Sequence, residues 1–463
     1  MSPVHEQPIP SRHVVVMPYP GRGHINPVLS LCTAMADRSS DIHITVVVTE
    51  EWLGLLAYEK NPSNVAFAAI PNVVPSEKVR GDDLQAFVAA VLTKMQAPFE
   101  QLLDSGSLPP PDFIIGDAFM SWVHEVAAKR NIPSAHMWTM SAAVYTVFYH
   151  FDLLVQNGHY PVDLSVNGDA VVDYIPGLPP VRVADLPLII RDQESMPKLI
   201  HILPKDSNAK HLIFTSYYHL ESQVIDALKH KSSLAIYTVG PVAVYLRLRD
   251  LKMSSGVAAA ADDYLRWLDH QPPSSVLYIS LGSFLHISAP QMDEIAAGLQ
   301  ESGVRFLWVA RREAARLQKM CGEKGVLVEW CDQLRVLSHP SVGGFLSHCG
   351  WNSTKEALLA GVPVLTFPII MDQISDAKAI VQDWKVGWRF LEREFDDTNL
   401  KKRDEIAGIV KRFMDLESSQ RQELTRNATK LRKICEAEFA NGGSHQTNLA
   451  HLLKSIYLDP PQA

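Results

Sequence analysis

Hydrophobic and polar residues follow two alternating patterns along most of the chain. Short apolar runs, typical of buried strands, are separated by longer segments in which apolar residues recur with the helical period. In the first half these runs predict strands at His13–Met17, His43–Thr49, Val65–Ala69, Phe113–Ile115 and His211–Thr215. Strands that alternate with helices form parallel sheets covered by helices on both faces. We therefore expect an α/β fold.

The same alternation returns in the second half. Further strands are predicted at Val276–Ser280, Arg305–Ala310 and Val326–Glu329. A helix should begin near Ala289, with Ser288 as its N-cap and Gln291 completing a capping box. The final third shows helical periodicity over Lys401–Leu416, Arg421–Phe439 and Ser444–Tyr457. The two halves therefore resemble one α/β design used twice.

Residues 244–263 interrupt this pattern, because Ser254-Ser255-Gly256 and an alanine-rich run show no core face. Such a segment is typical of a linker. A chain of 463 residues is also long for a single core. We predict an N-terminal domain over 1–243, a linker over 244–263, a C-terminal domain over 264–443 and a final helix within 444–463.

Composition narrows the function classes. The apolar content of 47% and charged content of 20% are typical of a globular protein, and the formal net charge is −8. Without a long basic run, nucleic acid is not an expected partner. Five scattered cysteines without a C-x-x-C pair argue against a zinc site or a disulfide framework. The sequence has no apolar run long enough to span a bilayer and starts without a signal-peptide pattern, so we expect a cytoplasmic protein.

Two candidate catalytic side chains follow predicted strands. His24 lies in the loop Pro18–Asn26, between the first strand and a helix predicted to begin at Pro27. Histidine has a suitable protonation range for a general base. Asp117 follows another strand, at the sheet edge expected for His24, and could orient its imidazole. Asp117 could also be the N-cap of a helix over Ala118–Arg130.

The segment Trp330–Gln373 combines the features that a nucleotide sugar requires. A strand at Val342–Leu346 leads to a predicted helix start at Trp351, where free N–H groups and the helix dipole favour phosphate. His348, Asn352 and Ser353 crowd this helix start, and Glu356 lies one turn further on the same face. Aromatic, amide and acidic residues flank the segment: Trp330 and Gln333 before the strand, and Asp372-Gln373 after a short strand at Val364–Phe367.

This segment resembles the signature box of the plant family-1 UDP-dependent glycosyltransferases over all 44 positions, without a gap. The rest of the chain fits the same family from Pro18-Tyr19-Pro20-Gly21 onward. The resemblance implies two facing Rossmann-like domains of GT-B type around a cleft, with the last helix crossing back to the first domain. It also implies a monomer with His24 and Asp117 as the catalytic dyad, inversion at the sugar, and UDP-glucose as co-substrate. No tightly bound cofactor or metal is expected, and the sequence has no D-x-D motif.

The resemblance also implies a role for each donor-site residue. Trp330 would stack on uracil, the Cys331 backbone would bind the base edge, and Gln333 and Glu356 would bind ribose hydroxyls. The diphosphate would be bound by Ser283, His348, Gly350, Asn352 and Ser353. The sugar would be bound by Thr139, Trp351, Asp372 and Gln373. Glutamine at the last box position accompanies glucose in the family, where histidine accompanies galactose.

The acceptor is not determined by the sequence. The candidate pocket residues are mostly aromatic or thioether side chains, which suit a flat or lipophilic molecule. They are Tyr19, Phe119, Met120, Trp122, His136, Met140, Tyr145 and Met371. Met371 replaces a bulky aromatic residue common at this position, and methionine is the more adaptable side chain. Flavonoid, phenolic, terpenoid and hormone hydroxyls all stay open.

Two other function classes match parts of the sequence. Gly21-x-Gly23 after a strand, with Glu50 after the next strand, partly matches a dinucleotide-binding fingerprint of a dehydrogenase. The third glycine is missing, because Asn26 holds its place and Pro27 follows. The second alternative is a non-enzymatic sugar-nucleotide-binding regulator. Loss of His24 or Asp117 would favour that alternative, and both residues are present.

Overall fold

The computed structural model describes residues 11–57, 61–77, 83–193, 196, 200, 209–241, 263–282, 287–396, 398 and 400–458. Strands and helices alternate through the first half. They are β1 Arg12–Met17, α1 Arg22–Arg38, β2 Ile42–Thr49, α2 Glu50–Leu56, β3 Val65–Ile70, α3 Leu84–Lys94, α4 Gln96–Asp104, β4 Phe113–Asp117, α5 Ser121–Lys129, β5 Ser134–Trp138, α6 Ala142–Tyr149, α7 Phe151–Gln156, β6 Val171–Val172, β7 Val181–Arg182, β8 His211–Phe214, α8 Tyr218–Lys231 and β9 Ala235–Thr238.

The first sheet has the strand order β3-β2-β1-β4-β5-β8-β9 among the described residues, and its neighbouring strands are all parallel. The direction of winding reverses between β1 and β4, where Met17 pairs with Gly116. In open α/β sheets, the crevice beyond the carboxyl ends of the strands at such a reversal is the usual ligand site. Strands β6 and β7 form a separate antiparallel pair.

The second half repeats this design. Its elements are α9 Asp263–Asp269, β10 Val276–Ser280, α10 Ala289–Ser302, β11 Arg305–Val309, α11 Ala314–Cys321, β12 Gly325–Val328, α12 Gln333–Leu337, β13 Val342–Ser347, α13 Trp351–Ala360, β14 Val364–Thr366, α14 Gln373–Lys378, β15 Gly387–Arg389, α15 Arg403–Phe413, α16 Ser419–Glu438 and α17 Ser444–Leu458. The parallel order is β12-β11-β10-β13-β14-β15. Its reversal lies between β10 and β13, where Ser280 pairs with Ser347. Each sheet therefore places one crevice at its carboxyl edge.

Two local predictions are wrong. Helix α1 begins at Arg22, and Pro27 lies inside it rather than in its first turn. The absence of an N–H on Pro27 is accommodated because the carbonyl of Gly23 accepts a hydrogen bond from another part of the chain. The capping box before α10 also does not form. The Gln291 amide instead exchanges two hydrogen bonds with the backbone of Lys401, at 2.8 and 3.0 Å.

The last helix packs back on the first sheet. Tyr457 contacts Ser39 through its hydroxyl at 2.9 Å, and Ser455 contacts Tyr237 of β9 at 2.8 Å. One face of α17, with Leu452 and Ile456, joins a buried apolar cluster that includes residues of both sheets. The predicted linker lies outside the described residues except for Asp263. Among the described helices, none is both long and apolar enough to cross a membrane.

Candidate active site

His24 and Asp117 meet at the crevice of the first sheet. His24 lies in the first turn of α1, after β1, and Asp117 ends the neighbouring β4. His24 Nδ1 and Asp117 Oδ2 are 2.7 Å apart, and the Asp117 side chain is 1% exposed. Its other oxygen accepts from the N–H of Phe119 at 3.0 Å. A carboxylate at Nδ1 favours the tautomer with its proton there, which leaves Nε2 able to accept a proton.

The alternative role of Asp117 as a helix N-cap is wrong. Helix α5 begins at Ser121, and Met120 holds the N-cap position. The Asp117 carboxylate instead fixes the turn between β4 and α5 through its bond to the N–H of Phe119, and still reaches His24. Thr139, which follows β5, places its Oγ1 3.0 Å from His24 Nδ1. His24 follows β1, and its ring is held by one side chain at the end of β4 and another after β5.

Aromatic rings surround this dyad. The rings of Tyr19 and His24 are 4.9 Å apart, and Phe119 lies edge-on to the histidine at 5.9 Å. Phe119 also stacks on Trp138 at 5.3 Å. The side of the crevice next to His24 is thus apolar and flat, which suits an aromatic or lipophilic molecule.

The crevice of the second sheet presents the start of helix α13. Gly350 is the N-cap and has no side chain that could accept a hydrogen bond. The first N–H groups of the helix therefore face the crevice without a side-chain cap. The ring of His348 occupies the space above Gly350 and Gly282, where added Cβ atoms would lie 2.5 and 2.9 Å from the ring. Burial lowers the pKa of His348 to about 4, so its imidazole is neutral at physiological pH. Ser283 lies outside the described residues.

A hydrogen-bonded set follows on the same side of α13. The Gln333 amide donates to Glu356 Oε2 at 2.7 Å and to Ser353 Oγ at 2.9 Å. The amide is itself oriented by the Tyr278 hydroxyl, which donates to Gln333 Oε1 at 3.1 Å. Trp330 lies nearby in the chain and is 68% exposed, so an indole face is accessible. The Cys331 side chain is buried and contacts Tyr278 at 3.4 Å, which leaves its backbone for a ligand.

Asp372 and Gln373 follow β14 at the start of α14. Gln373 Oε1 accepts from the N–H groups of Ile369 and Ile370 at 2.8 and 3.1 Å. This fixes the amide so that its NH₂ is the end left to donate to a ligand. Met371, directly before the pair, has a left-handed φ of 59°. Such a conformation is uncommon outside glycine and often marks a functional turn.

The two crevices face each other across short contacts. The Asn352 side-chain amide of α13 donates to the Gly23 carbonyl, next to His24, at 2.8 Å. The indole of Trp351 and the ammonium of Lys355 both donate to the Thr215 carbonyl, at 3.0 and 2.7 Å. The helix start suited to phosphate and the histidine suited to proton transfer therefore line one cleft.

The chain is similar to known proteins in sequence and in fold. Residues 260–402 match the family model described as UDP-glucoronosyl and UDP-glucosyl transferase. UDP-glycosyltransferase 87A2 of Arabidopsis thaliana is 45% identical over 462 residues, which cover 98% of this chain and 99% of the relative. The chain belongs to the plant family-1 UDP-glycosyltransferases. The predicted family is thus confirmed.

Two further similarities extend to the whole glycosyltransferase. The 7-deoxyloganetin glucosyltransferase of Catharanthus roseus is 31% identical, over 97% of each chain. The solved structure of Phytolacca americana UGT2, complexed with UDP-2fluoro-glucose and pterostilbene, is 26% identical with a TM-score of 0.78. It covers 97% of this chain and 100% of its own. The predicted fold is confirmed, and the protein is an enzyme that uses a UDP-sugar as co-substrate. The dehydrogenase and regulator alternatives are therefore wrong.

The predicted acceptor residues of this glycosyltransferase lie in two kinds of place, near the cleft and in the core. Tyr19 and Phe119 lie against His24, while Met140 and Tyr145 belong to the apolar cluster that includes Trp138. Met371 lies on the opposite domain, and its carbonyl accepts from the N–H of Leu188 at 2.8 Å. Tyr145 is 1% exposed and is therefore a core residue, whereas the placements of Tyr19, Phe119 and Met371 are consistent with a pocket between the domains.

Three other acceptor predictions are corrected. Met120 is fully buried in the core behind the first sheet. Trp122 packs on Phe99 in that core and donates its indole N–H to the backbone of Val91. His136 is fully buried, with its ring 3.5 Å from that of His124 of α5. Aromatic and thioether character alone could not distinguish these core residues from residues of the cleft.

The structure also reveals charged residues at the domain contact that the sequence prediction missed. Lys355 is 1% exposed, and burial lowers the pKa of its ammonium to about 7. Glu221 of α8 is buried and accepts from the N–H of Ala143 at 2.8 Å. Asp376 of α14 is 2% exposed. Nothing local in the sequence marks these side chains, because their partners are distant in the chain: Lys355 donates to Thr215 of the other domain, and Glu221 accepts from Ala143, 78 residues away.

Proposed function

We propose that this glycosyltransferase transfers glucose from UDP-glucose to a hydroxyl of a small lipophilic or phenolic plant metabolite, with inversion, to give a β-glucoside. The proposal rests chiefly on the His24–Asp117 pair at 2.7 Å, which lies beside the Asn352 contact to the donor helix. This pair provides a general base next to the position expected for the donor sugar.

His24 is the proposed base. With its Nδ1 proton held by Asp117, His24 Nε2 removes the acceptor hydroxyl proton as the oxygen attacks the sugar C1. The bond from the acceptor oxygen to C1 forms while the bond from C1 to the UDP oxygen breaks. Asp117 stabilises the imidazolium that results. Because attack occurs opposite the departing UDP, an α-linked donor gives a β-linked product.

The donor helix is the proposed site for the leaving diphosphate. The uncapped N–H groups at the start of α13, with the side chains of Asn352 and Ser353, donate hydrogen bonds to the charge that develops on UDP. The neutral ring of His348 packs against Gly350 and supports this helix start. Trp330 offers its exposed face to uracil, and the Cys331 backbone contacts the base edge. Glu356, oriented by Gln333, accepts from the ribose hydroxyls.

The sugar is assigned to Asp372 and Gln373. A carboxylate that accepts and an amide that donates suit neighbouring hydroxyls of one hexose. Thr139 lies at His24 and can contact the sugar from the first domain. Trp351 is 3% exposed, and its indole N–H donates to the Thr215 carbonyl of the other domain. Trp351 therefore supports the sugar site indirectly, by fixing the contact between the two domains.

The acceptor assignment is limited to a class. Tyr19 and Phe119, which lie against His24, favour a flat or lipophilic molecule. A terpenoid acceptor is consistent with the similarity to a 7-deoxyloganetin glucosyltransferase. A mass-spectrometric screen of flavonoid, phenolic, terpenoid and hormone alcohols with UDP-glucose tests the proposal. The absence of any glucoside from the whole panel would refute it.

We place the domains at 1–243 and 264–443, joined by 244–263, with the final segment at 444–463. The enzyme is proposed to act as a monomer in the cytoplasm, without a metal ion. Light scattering of the purified protein and fluorescence microscopy of a tagged chain test the first two statements. Dialysis against EDTA tests the third.

A further inference from the structure

A short segment of the first domain, Val183–Arg191, contacts the second domain and has no role in the steps above. It directly follows β7 and forms two 3₁₀ turns. Leu186 and Ile190 anchor it in the buried apolar cluster that also contains Trp138. Its backbone and charged groups are hydrogen-bonded to the second domain. We call residues 183–191 the bridging segment.

The bridging segment contacts the chain on both sides of Asp372-Gln373. Before this pair, the Leu188 N–H donates to the Met371 carbonyl at 2.8 Å. After the pair, the Ser375 hydroxyl donates to the Asp185 carbonyl at 2.9 Å. The two residues proposed to bind the sugar are therefore held at both ends by one segment of the other domain.

These two contacts orient the backbone of Asp372. Met371 has a left-handed φ of 59°, a conformation that persists only where the surrounding structure holds it. Its carbonyl belongs to the same planar peptide unit as the Asp372 N–H, so the bond from Leu188 fixes that unit. The Ser375 N–H donates to the Asp372 carbonyl at 2.9 Å. The residue that contacts Asp185 therefore also holds the second peptide unit of Asp372.

A buried carboxylate strengthens the same contact. The Asp185 side chain is 2% exposed and accepts from Arg389 at 2.9 Å and from Arg182 at 2.8 Å. Arg389 lies on β15, the neighbour of the strand β14 that precedes the sugar-binding turn. A second ion pair between the domains joins Arg191 to Glu394. Charge-assisted bonds are stronger than neutral ones, and matched charges favour one relative orientation of two surfaces.

We propose that the bridging segment positions the turn Met371–Gln373 for the donor sugar, with Asp185 as its main positioning residue. Contact between the domains then prepares the turn for the sugar, whereas the proposed contacts of the nucleotide all lie in the second domain. The affinity for UDP-glucose depends on the bridging segment, and the affinity for UDP does not. This inference rests on the proposed assignment of Asp372 and Gln373 to the sugar.

Two substitutions weaken the contact without changing a residue proposed to bind the donor. Asp185→Asn removes the negative charge between the two arginines. Ser375→Ala removes one hydroxyl, and Ser375→Thr retains it. Because Ser375 is only partly buried, Ser375→Ala decides the question if Asp185→Asn does not fold. Calorimetry without acceptor measures Kd for UDP-glucose and for UDP, and the ratio of the two isolates the contribution of the sugar.

We expect Asp185→Asn to weaken UDP-glucose ~10-fold and Ser375→Ala ~5-fold, the losses usual for a charged and a neutral hydrogen bond, while UDP binding is unchanged. Ser375→Thr should keep the wild-type ratio. The matched control is Asp112→Asn, the same substitution at an ion pair of 2.9 Å with Arg12 inside the first domain. This control should leave the ratio unchanged, even if it lowers the melting temperature.

Three results would overturn the inference. They are an unchanged ratio in Asp185→Asn or Ser375→Ala, an equal loss of affinity for UDP, and a Ser375→Thr variant as weak as Ser375→Ala. The variant Gln373→Glu separates this failure from that of the proposed function. If only Gln373→Glu changes the ratio, the role of the bridging segment is refuted and the sugar assignment stands. If none of the variants changes the ratio, the assignment of this turn to the sugar is refuted as well.

Discussion

The Asn352 side-chain amide donates a hydrogen bond to the Gly23 carbonyl across the cleft, over 2.8 Å. That carbonyl lies four residues before Pro27 inside α1, so no helical N–H competes for it. The proline therefore leaves an acceptor open at the place where the second domain approaches His24. This contact brings the proposed leaving-group site and the proposed base together.

His24→Ala should lower kcat by ~10²-fold or more with an alcohol or phenol acceptor, because general-base catalysis is lost. Asp117→Asn should also lower kcat, since the amide cannot stabilise the imidazolium. Calorimetry should show unchanged UDP affinity in both. His43→Ala, on an exposed position of β2, is the control. Near-wild-type kcat in His24→Ala, or loss of UDP binding, would contradict the assignment.

UDP-glucose should give the highest kcat/KM among UDP-glucose, UDP-galactose, UDP-xylose and UDP-glucuronate. In Gln373→Glu, a carboxylate can still accept from Ile369 and Ile370 but no longer donates to the sugar. This variant should lose affinity for UDP-glucose and retain it for UDP. Preference for another sugar at matched concentration would refute the donor assignment.

Glu356→Gln should weaken UDP and UDP-glucose by the same factor, ~10-fold, because hydrogen bonds from the ribose hydroxyls to a charged acceptor are lost. The measurement is calorimetric titration with each ligand. Glu329→Gln, at an exposed glutamate near Trp330, provides a control of equal charge change. A loss confined to UDP-glucose would place Glu356 at the sugar instead of the ribose.

Activity should survive dialysis against EDTA, since helix N–H groups and neutral side chains can meet the charge on UDP. The rate is measured before dialysis, after dialysis, and after addition of Mg²⁺ or Mn²⁺. Heat-treated enzyme serves as the blank. Loss of most turnover, followed by recovery with either ion, would show that a metal is required.

Lys355→Met should change how stability depends on pH. The folded pKa of Lys355 is about 7, below its ordinary 10.5, so between these values the unfolded chain binds more protons. The contribution of this lysine to stability therefore rises with pH through that window and is least below it. Melting temperatures of the wild type and of Lys355→Met, measured from about pH 7 to pH 10.5, test this pH dependence. The advantage of the variant should be greatest at low pH, and a constant difference would contradict the shift.

Much of the site could be predicted because its residues are close in the chain. The strand β13 and the start of α13 lie at the predicted positions, and His24 and Asp117 follow adjacent strands. Strand β5 was missed because Ser134-Ala135-His136-Met137-Trp138 shows no clean alternation, although every one of its residues is buried. Burial on both faces removes the pattern on which a strand prediction depends.

The domain contact could not be predicted for a different reason. Lys355 lies on a helix, where lysine is normally a solvent-exposed residue. Its burial depends on Thr215, which is 140 residues away in the sequence. Local propensity contains no information on such pairs, so the residues that connect the two halves had to be found in the structure.

The return of α17 to the first sheet constrains the order of folding during synthesis. Strand β9 and the end of α1 leave the ribosome long before residues 444–458, which cover part of their apolar surface. That apolar surface of the N-terminal half therefore stays exposed until the final helix has been synthesised. Newly made chains should need protection from aggregation during this interval.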